Sequence, residues 1–312
     1  MKLAVIGLGG IAEKGYLPVI TGMDTLELFF HSRHIDRVDE LRKRYRVAGG
    51  SDHFEDVLRW KPDAALVLTP TETHCSIANE LIQRGIDVFM EKPVSYHSDE
   101  NQYLAEEADR LNRILMVGYN RRFAPLTLQA RKLWNNRHIG MGVMVKHRSS
   151  NIFHGLPTHM NEEFVHVIDT MRFLCGDGHA LSTWHRLAGD GLLIEAVSVI
   201  QLETGGLVTL QTCLEGGLWQ ENYALHGDKV SLELDMFSEL RVFENGVKNS
   251  LREPYDSSWK SNLKGRGFVD EIEHFLSCIK TRKQPVCNGW EALKTQLLTE
   301  EIIQRDSALP IK

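Results

Sequence analysis

The sequence predicts an α/β protein in two parts: a doubly wound parallel sheet over residues 1–120, then an α/β domain with a mixed or antiparallel sheet over residues 121–312. Three observations carry this reading. Short apolar runs alternate with helical patterns through the first 120 residues, which marks a parallel sheet covered by helices. A glycine-rich turn follows the first run. Later segments alternate polar with apolar residues between Gly-containing turns, as strands with one covered face do.

The elements follow in order. Leu3–Gly7, Leu26–His31, Ala64–Thr69, Ile86–Glu91 and Ile114–Gly118 read as strands, the first, third and fifth being nearly continuous apolar runs. Helical patterns lie near Gly10–Gly22, Asp36–Arg46, Thr73–Arg84 and Ser98–Asn112, with Gly85 placed to cap the third. A helix near Pro125–Asn136 leads into a strand-like run at Met141–Arg148. Asn161–Asp177 shows an apolar helical stripe of Phe164, Ile168, Met171 and Leu174 or Cys175. A second stripe carries Glu162, His166, Asp169 and Thr170, which share a face at helical spacing. Strands follow at Leu193–Glu203, Gly206–Leu214, Glu221–Gly227, Lys229–Met236 and Glu239–Gly246. Glu203–Leu207 and His226–Val230 look like hairpin turns. In Lys229–Met236, Val230, Leu232 and Leu234 alternate with Ser231, Glu233 and Asp235, so one sheet face meets helices and the other meets solvent or a partner subunit. Helices near Gly267–Thr281 and Trp290–Asp306 close the chain.

Bulk properties exclude several classes. With 42% hydrophobic and 25% charged residues the chain reads as a soluble globular protein, and its 312 residues suffice for two cores. A net charge of −6 with dispersed cations argues against nucleic acid as a partner. No run reaches the ~18–20 apolar residues that cross a bilayer, and the start lacks the long apolar core of a secretory signal. Five scattered cysteines without a CxxC pair are expected to be reduced thiols of a cytoplasmic protein. His147, His154, His159 and His166 match no compact ligand motif, so no metal is expected.

Gly7-Leu8-Gly9-Gly10-Ile11-Ala12 satisfies G-x-G-x-x-A between a strand and a helix, the context that identifies a dinucleotide site. Gly7 permits the tight turn, Gly9 lets backbone approach a pyrophosphate, and Ala12 allows close helix–strand packing. Gly7, Gly9, Gly10, Ile11 and Ala12 are therefore candidate cofactor contacts. About 20 residues further on, NAD-binding folds usually place an acidic residue for the ribose hydroxyls. Here stand Ser32 and Arg33, a hydroxyl and a guanidinium suited to a 2′-phosphate, which favours NADP(H) with NAD(H) as the alternative.

Several motifs together resemble the Gfo/Idh/MocA oxidoreductases: the glycine-rich start, Leu68–His74 (LTPTETH), Met90–Pro93 (MEKP), Val117–Pro125 (VGYNRRFAP), and His166 to Gly176 as H-x-x-D-x-x-x-x-L-x-G. KHRSSN, NEEFVHVIDT and GRGFVDEIEHF look most like the branch named after MviM. The resemblance implies a Rossmann domain, then an α/β domain with a large open sheet used for homo-oligomerisation (dimer or tetramer). It implies hydride transfer between nicotinamide and a hydroxyl-bearing carbon of a sugar, cyclitol or related small molecule. Lys92 matches the family lysine that hydrogen-bonds the reacting oxygen, and its bond to Pro93 is frequently cis in the family. His166 matches the family's general acid or base, with Glu162 where many members carry Asp and Glu163 as a second candidate. Asp169 is expected to orient His166 or to cap backbone. The polar stripe should face a cleft opposite Lys92. Thr69, Pro70, His74 and Glu91 are expected beside the cofactor, with His74 equally readable as an N-terminal helix residue without contact; Asn120, Arg122 and Asp169 are expected on the substrate side. Arg121 and Arg122 together could bind a carboxylate or phosphate, unless one is spent in an ion pair. Trp219, Tyr223, Tyr255, Trp259 and Lys260 stay uncommitted, because aromatics are more often core or interface.

Two alternatives share the fold. Some family members use tightly held NAD to cleave glycosidic bonds without net redox change, and others are non-catalytic cofactor-binding regulators.

Overall fold

The computed structural model describes residues 1–134, 137–150, 152–153, 155–252 and 262–308. The expected end of the helix at Asn136, and His154, Tyr255, Trp259 and Lys260, lie outside the described residues. The chain forms two compact units: residues 1–119 with 268–293, and residues 120–267 with 294–312.

In the first unit β1 (Lys2–Ile6), β2 (Glu27–His31), β3 (Gly49–Ser51), β4 (Ala64–Val67), β5 (Asp87–Glu91) and β6 (Leu115–Gly118) make a wholly parallel sheet in the order β3-β2-β1-β4-β5-β6. The five strands expected from apolar runs are present. The sixth, β3, and the helix Phe54–Trp60 have no counterpart in the sequence reading. Gly-Gly-Ser carries no apolar pattern, and β3 exists because it pairs with β2 at the sheet edge. The order reverses between β1 and β4, the switch point at whose carboxyl edge such sheets bind ligands. Helix Ser98–Arg110 buries Asn101, Leu104, Ala105 and Ala108, a stripe at spacings of three and four, and Gly85 takes φ +78° just beyond the helix His74–Gln83.

The helix expected at Gly10–Gly22 is shorter and irregular. Ala12–Tyr16 forms a π turn before an α-helical Leu17–Ile20. Helix Phe268–Thr281 returns to this unit. Phe268 packs edge-on against Tyr16 at 5.3 Å and Phe275 against Phe89 at 5.7 Å. Val117 N–H donates to the Cys287 carbonyl at 2.9 Å.

The second unit holds β7 (Met141–His147), β8 (Gly178–Leu187), β9 (Leu193–Leu202), β10 (Leu207–Cys213), β11 (Gln220–Gly227), β12 (Val230–Asp235), β13 (Glu239–Glu244), β14 (Val247–Arg252) and β15 (Asp306–Ala308). They make a nine-stranded mixed sheet in the order β14-β13-β12-β11-β7-β10-β9-β8-β15, in which β7/β10 and β8/β15 are parallel. The β11–β12 hairpin turns on Asp228 and Lys229, both at positive φ, as a two-residue primed turn requires. Leu202 N–H donates to the Gly206 carbonyl across the other expected turn, with Gly205 at φ +95°. Val230, Leu232 and Leu234 are buried, as their alternation predicts. One face packs on the helices Pro125–Trp134 and Val165–Cys175, while Met141, Leu181, Trp184, Val197 and Leu207 stay exposed. The last helix ends at Gln304, and Asp306, expected inside it, begins β15 instead.

Candidate active site

The glycine turn lies at the switch point of the first sheet. Gly7 has φ +97°, and a Cβ there would stand 2.6 Å from the Leu68 carbonyl carbon and 2.7 Å from Thr69 N. Two backbones thus cross where only glycine fits. A Cβ on Gly9 or Gly10 would meet nothing within 4 Å, so this stretch leaves room for a ligand to lie on bare backbone. Ala12 is fully buried, and the helix that follows has no side-chain cap at its start. Its first N–H groups are suited to an anion, so the residues present fit a dinucleotide pyrophosphate. Arg37 braces the turn, donating from Nε to the Leu8 carbonyl at 3.2 Å and from Nη2 to Glu13 at 2.5 Å. Ile11 and Arg33 are exposed and Ser32 is half-buried, its hydroxyl accepting from His34 N–H at 3.4 Å.

The loops after β4 and β5 are tied together. His74 is 1% exposed, with Nδ1 2.8 Å from the Pro93 carbonyl and Nε2 2.7 Å from the Thr69 carbonyl. Burial lowers its pKa against the pull of those two carbonyls. His74 opens the helix His74–Gln83, and its ring lies between the two carbonyls as a strut between the loops, its one N–H in the neutral form serving one carbonyl or the other. Thr69 is half-buried and Pro70 exposed. Lys92 is half-buried, and its bond to Pro93 is cis, as the resemblance implies. Glu91 is buried, accepting from Tyr16 O–H at 2.6 Å and from Lys92 N–H at 3.0 Å.

In the second unit the segment expected as one regular helix is Gly155–His159, a π turn at Met160–Phe164, and Val165–Cys175. The π turn inserts extra backbone between Glu162 and the later residues, so stripes counted at 3.6 residues lose register across it. Glu162 and His166 are half-buried. Asp169 and Thr170 are buried, which corrects the expectation of a continuous cleft-facing polar stripe. Asp169 accepts from Arg122 Nη2 and Nε at 2.7 and 2.8 Å and from Thr295 O–H at 3.0 Å. Thr170 donates to the His166 carbonyl at 2.6 Å. Asp169 Oδ1 thus accepts from Arg122 and Thr295 and Oδ2 from Arg122, partners that its own motif does not suggest.

Arg121 is spent likewise, bound by Nε and Nη2 to Glu221 at 2.9 and 3.0 Å. The expectation that Arg121 and Arg122 together offer an anion site fails, because each guanidinium faces a buried carboxylate of its own unit. Asn120 is buried, donating to the Arg266 carbonyl at 2.8 Å and accepting from Arg121 at 3.1 Å. Glu163, the second candidate carboxylate, lies 2.7 Å from Lys146 Nζ and 3.1 Å from Arg148. Burial would raise Glu163 and Glu221, but the surrounding cations outweigh it and hold both below the ordinary value, Glu221 at about 2.

Tyr16, Lys146 and Glu221 were not singled out in the sequence, although a signal existed for two of them. Lys146 falls in phase with Gly142 and Met144 on the inward face of β7, and Glu221 in phase with Tyr223 and Leu225 on β11. The two are register partners on adjacent strands, and an inward lysine needs a buried anion. Tyr223 is buried with its hydroxyl donating to Glu221 at 2.6 Å, and Trp219 is exposed. Among the described residues no group of three or more His, Cys, Asp or Glu could hold a metal ion, and no helix is long and apolar enough to cross a membrane.

Residues 1–119 match the model of the GFO_IDH_MocA oxidoreductase family, NAD-binding Rossmann fold. The Salmonella typhimurium protein YceM is 26% identical over 97% of each chain. The scyllo-inositol 2-dehydrogenase (NAD(+)) of Bacillus subtilis is 24% identical over 94% of this chain and 90% of its own. A crystal structure of the dehydrogenase MviM from Clostridium difficile superposes with a TM-score of 0.88 at 26% identity, covering 97% of this chain and 99% of that one. The glycine turn at the switch point and the Lys92–Pro93 loop lie within the residues that match the Rossmann-fold model of the Gfo/Idh/MocA oxidoreductases, and over nearly its whole length the chain is similar to MviM and YceM.

Proposed function

We propose that the protein transfers a hydride between NADP(H) and the hydroxyl or carbonyl carbon of a sugar-like or other small polyol. In this reading residues 1–119 with 268–293 bind the cofactor. The second unit binds substrate and forms a homo-oligomer through its sheet. Bound nicotinamide supplies the hydride acceptor or donor. The Lys92 ammonium donates a hydrogen bond to the reacting oxygen and stabilises charge that develops on it. His166 takes the hydroxyl proton during oxidation and returns it during reduction. Glu162 supports His166, since Glu163 is held by Lys146 and Arg148. Arg122 and Asp169 hold the Asn120–Phe123 turn to the helix Val165–Cys175, framing the substrate side without contacting substrate.

The observation that carries the reading is the joining of the glycine turn and the Lys92 loop at one edge of a parallel sheet, through Tyr16 and Glu91. Kinship with a scyllo-inositol dehydrogenase supports a polyol substrate, and Ser32 with Arg33 in place of an acidic residue supports NADP(H). A screen of NADPH consumption across aldehydes, ketones and sugar derivatives, with the reverse reaction on polyols, tests it. Turnover should fall by about 10²-fold or more in Lys92→Ala. Unchanged turnover in a stable Lys92→Ala protein overturns the assigned role.

A further inference from the structure

We infer that Tyr16 and His74 are positioning residues that together fix the direction of Lys92. The inference rests on the role proposed for Lys92 and adds two residues that make no claim on substrate. Tyr16 ends the π turn that follows the glycine loop. Its hydroxyl donates to Glu91 Oε1 at 2.6 Å, and Glu91 Oε2 accepts the N–H of Lys92 itself at 3.0 Å. Burial and the neighbouring Glu91 carboxylate keep the phenol protonated, so Tyr16 is the donor. The ring is fully buried and held edge-on by Phe89 and Phe268, each at 5.3 Å. A Cβ at Gly118 would stand 3.0 Å from the Tyr16 hydroxyl and 3.5 Å from Glu91 Cδ, so glycine there leaves the pair its space.

On the other side of Lys92, the carbonyl of Pro93 lies 2.8 Å from His74 Nδ1. His74 Nε2 reaches the Thr69 carbonyl, next to the Leu68 backbone that Gly7 touches. Of the backbone groups on either side of the lysine side chain, the Lys92 N–H is thus bonded to Glu91 at the end of β5, which Tyr16 holds, and the Pro93 carbonyl to His74 on the helix His74–Gln83. One chain runs from the glycine loop through Tyr16 and Glu91 to Lys92 N–H; the other runs from the post-β4 loop through His74 to Pro93. A lysine side chain has four rotatable bonds, and its reach is defined only if the peptide it springs from is fixed. Tyr16 and His74 fix that peptide at both ends.

The test uses the full chain without substrate, so it does not depend on which reaction is catalysed. Tyr16→Phe keeps the ring and removes one hydroxyl; His74→Ala removes the strut. The readouts are amide hydrogen exchange at Lys92 by NMR, and the rate at which trace acetic anhydride labels Lys92 Nζ relative to the exposed Lys43. Loss of a hydrogen bond to a charged carboxylate should speed Lys92 amide exchange about tenfold in Tyr16→Phe, with Met90 in β5 unaffected. Relative labelling of Lys92 should change about twofold or more in both variants, whereas the control Phe29→Leu loosens packing against Trp60, away from both chains, and leaves it unchanged. Should Lys92 exchange and labelling stay at wild-type values while thermal stability falls, both residues are merely structural and the inference is overturned. A wrong role for Lys92 would instead show as unchanged turnover in Lys92→Ala, which these readouts do not touch.

Discussion

Lys146 meets Glu163 twice, its ammonium nitrogen lying 2.7 Å from Oε1 and 3.2 Å from the backbone carbonyl of the same residue. That carbonyl belongs to the π turn Met160–Phe164, three residues before His166. Lys146 is 2% exposed, and Glu221 Oε2 is 3.9 Å away. Burial and the Arg121 guanidinium push its ammonium toward neutrality, while Glu221 and Glu163 hold it charged. Replacing it with Met leaves two carboxylates short of a cation. Lys146→Met should cost about 3–5 kcal/mol in denaturant unfolding. A loss below about 1 kcal/mol would mean that the cluster is solvated and does not set the turn.

Acid should unfold the second unit through two groups. Glu221 has its folded pKa at about 2 against 4.5, so its stabilisation is complete above 4.5 and is lost as pH falls toward 2. Burial pushes His159 from 6.5 to about 3, so below 6.5 the unfolded chain binds a proton that the folded chain refuses. Both effects lower stability on acidification. His159→Phe, which keeps an aromatic ring beside Phe153 and Phe164, should flatten the fall in melting temperature between pH 6 and about 4. An unaltered profile would remove His159 from the account.

Gly7 and Gly9 should fail in different ways. An alanine at Gly7 meets the Leu68 and Thr69 backbone at positive φ, and should cost about 2 kcal/mol or more of stability. An alanine at Gly9 meets nothing in the protein, so unfolding should shift by less than about 0.5 kcal/mol. Nucleotide binding, followed by quenching of NADPH fluorescence, should nonetheless weaken in Gly9→Ala. Full affinity in that variant would show that no pyrophosphate lies on the turn.

Cofactor choice is tested at Arg33. Arg33→Ala should weaken NADPH binding about tenfold, the worth of one charge-assisted contact, and leave NADH within about twofold. Tighter NADH than NADPH binding in the unaltered protein would end the argument from Ser32 and Arg33.

Strands whose side chains are apolar on both faces could be read directly, since β4 and β6 are buried throughout and β1 from Leu3 onward. β3 could not, because Gly49 and Gly50 supply no pattern and the strand is specified by its neighbour. Around Met160 the fault was one of period: a count of 3.6 residues per turn assumes an unbroken α-helix, and the π turn breaks it. Asp169 and Arg122 illustrate a further limit. Each looks like a ligand-facing residue in its own motif, and only folding reveals that, although 47 positions apart, they are bonded to one another. Tyr16 is harder still, for its hydroxyl finds its partner 75 positions away.

The return of residues 268–293 to the first unit makes each unit discontinuous in the gene. A fragment stopping at residue 120 would leave the Tyr16 and Phe89 rings without Phe268 and Phe275, and the Val117 N–H without the Cys287 carbonyl. Bare aromatic faces and an unpaired strand group invite aggregation. Recombination between relatives could therefore exchange the nucleotide-binding half only by carrying two separate stretches of DNA together, so cofactor preference in such a protein is free to change by point substitution but poorly placed to change by domain shuffling.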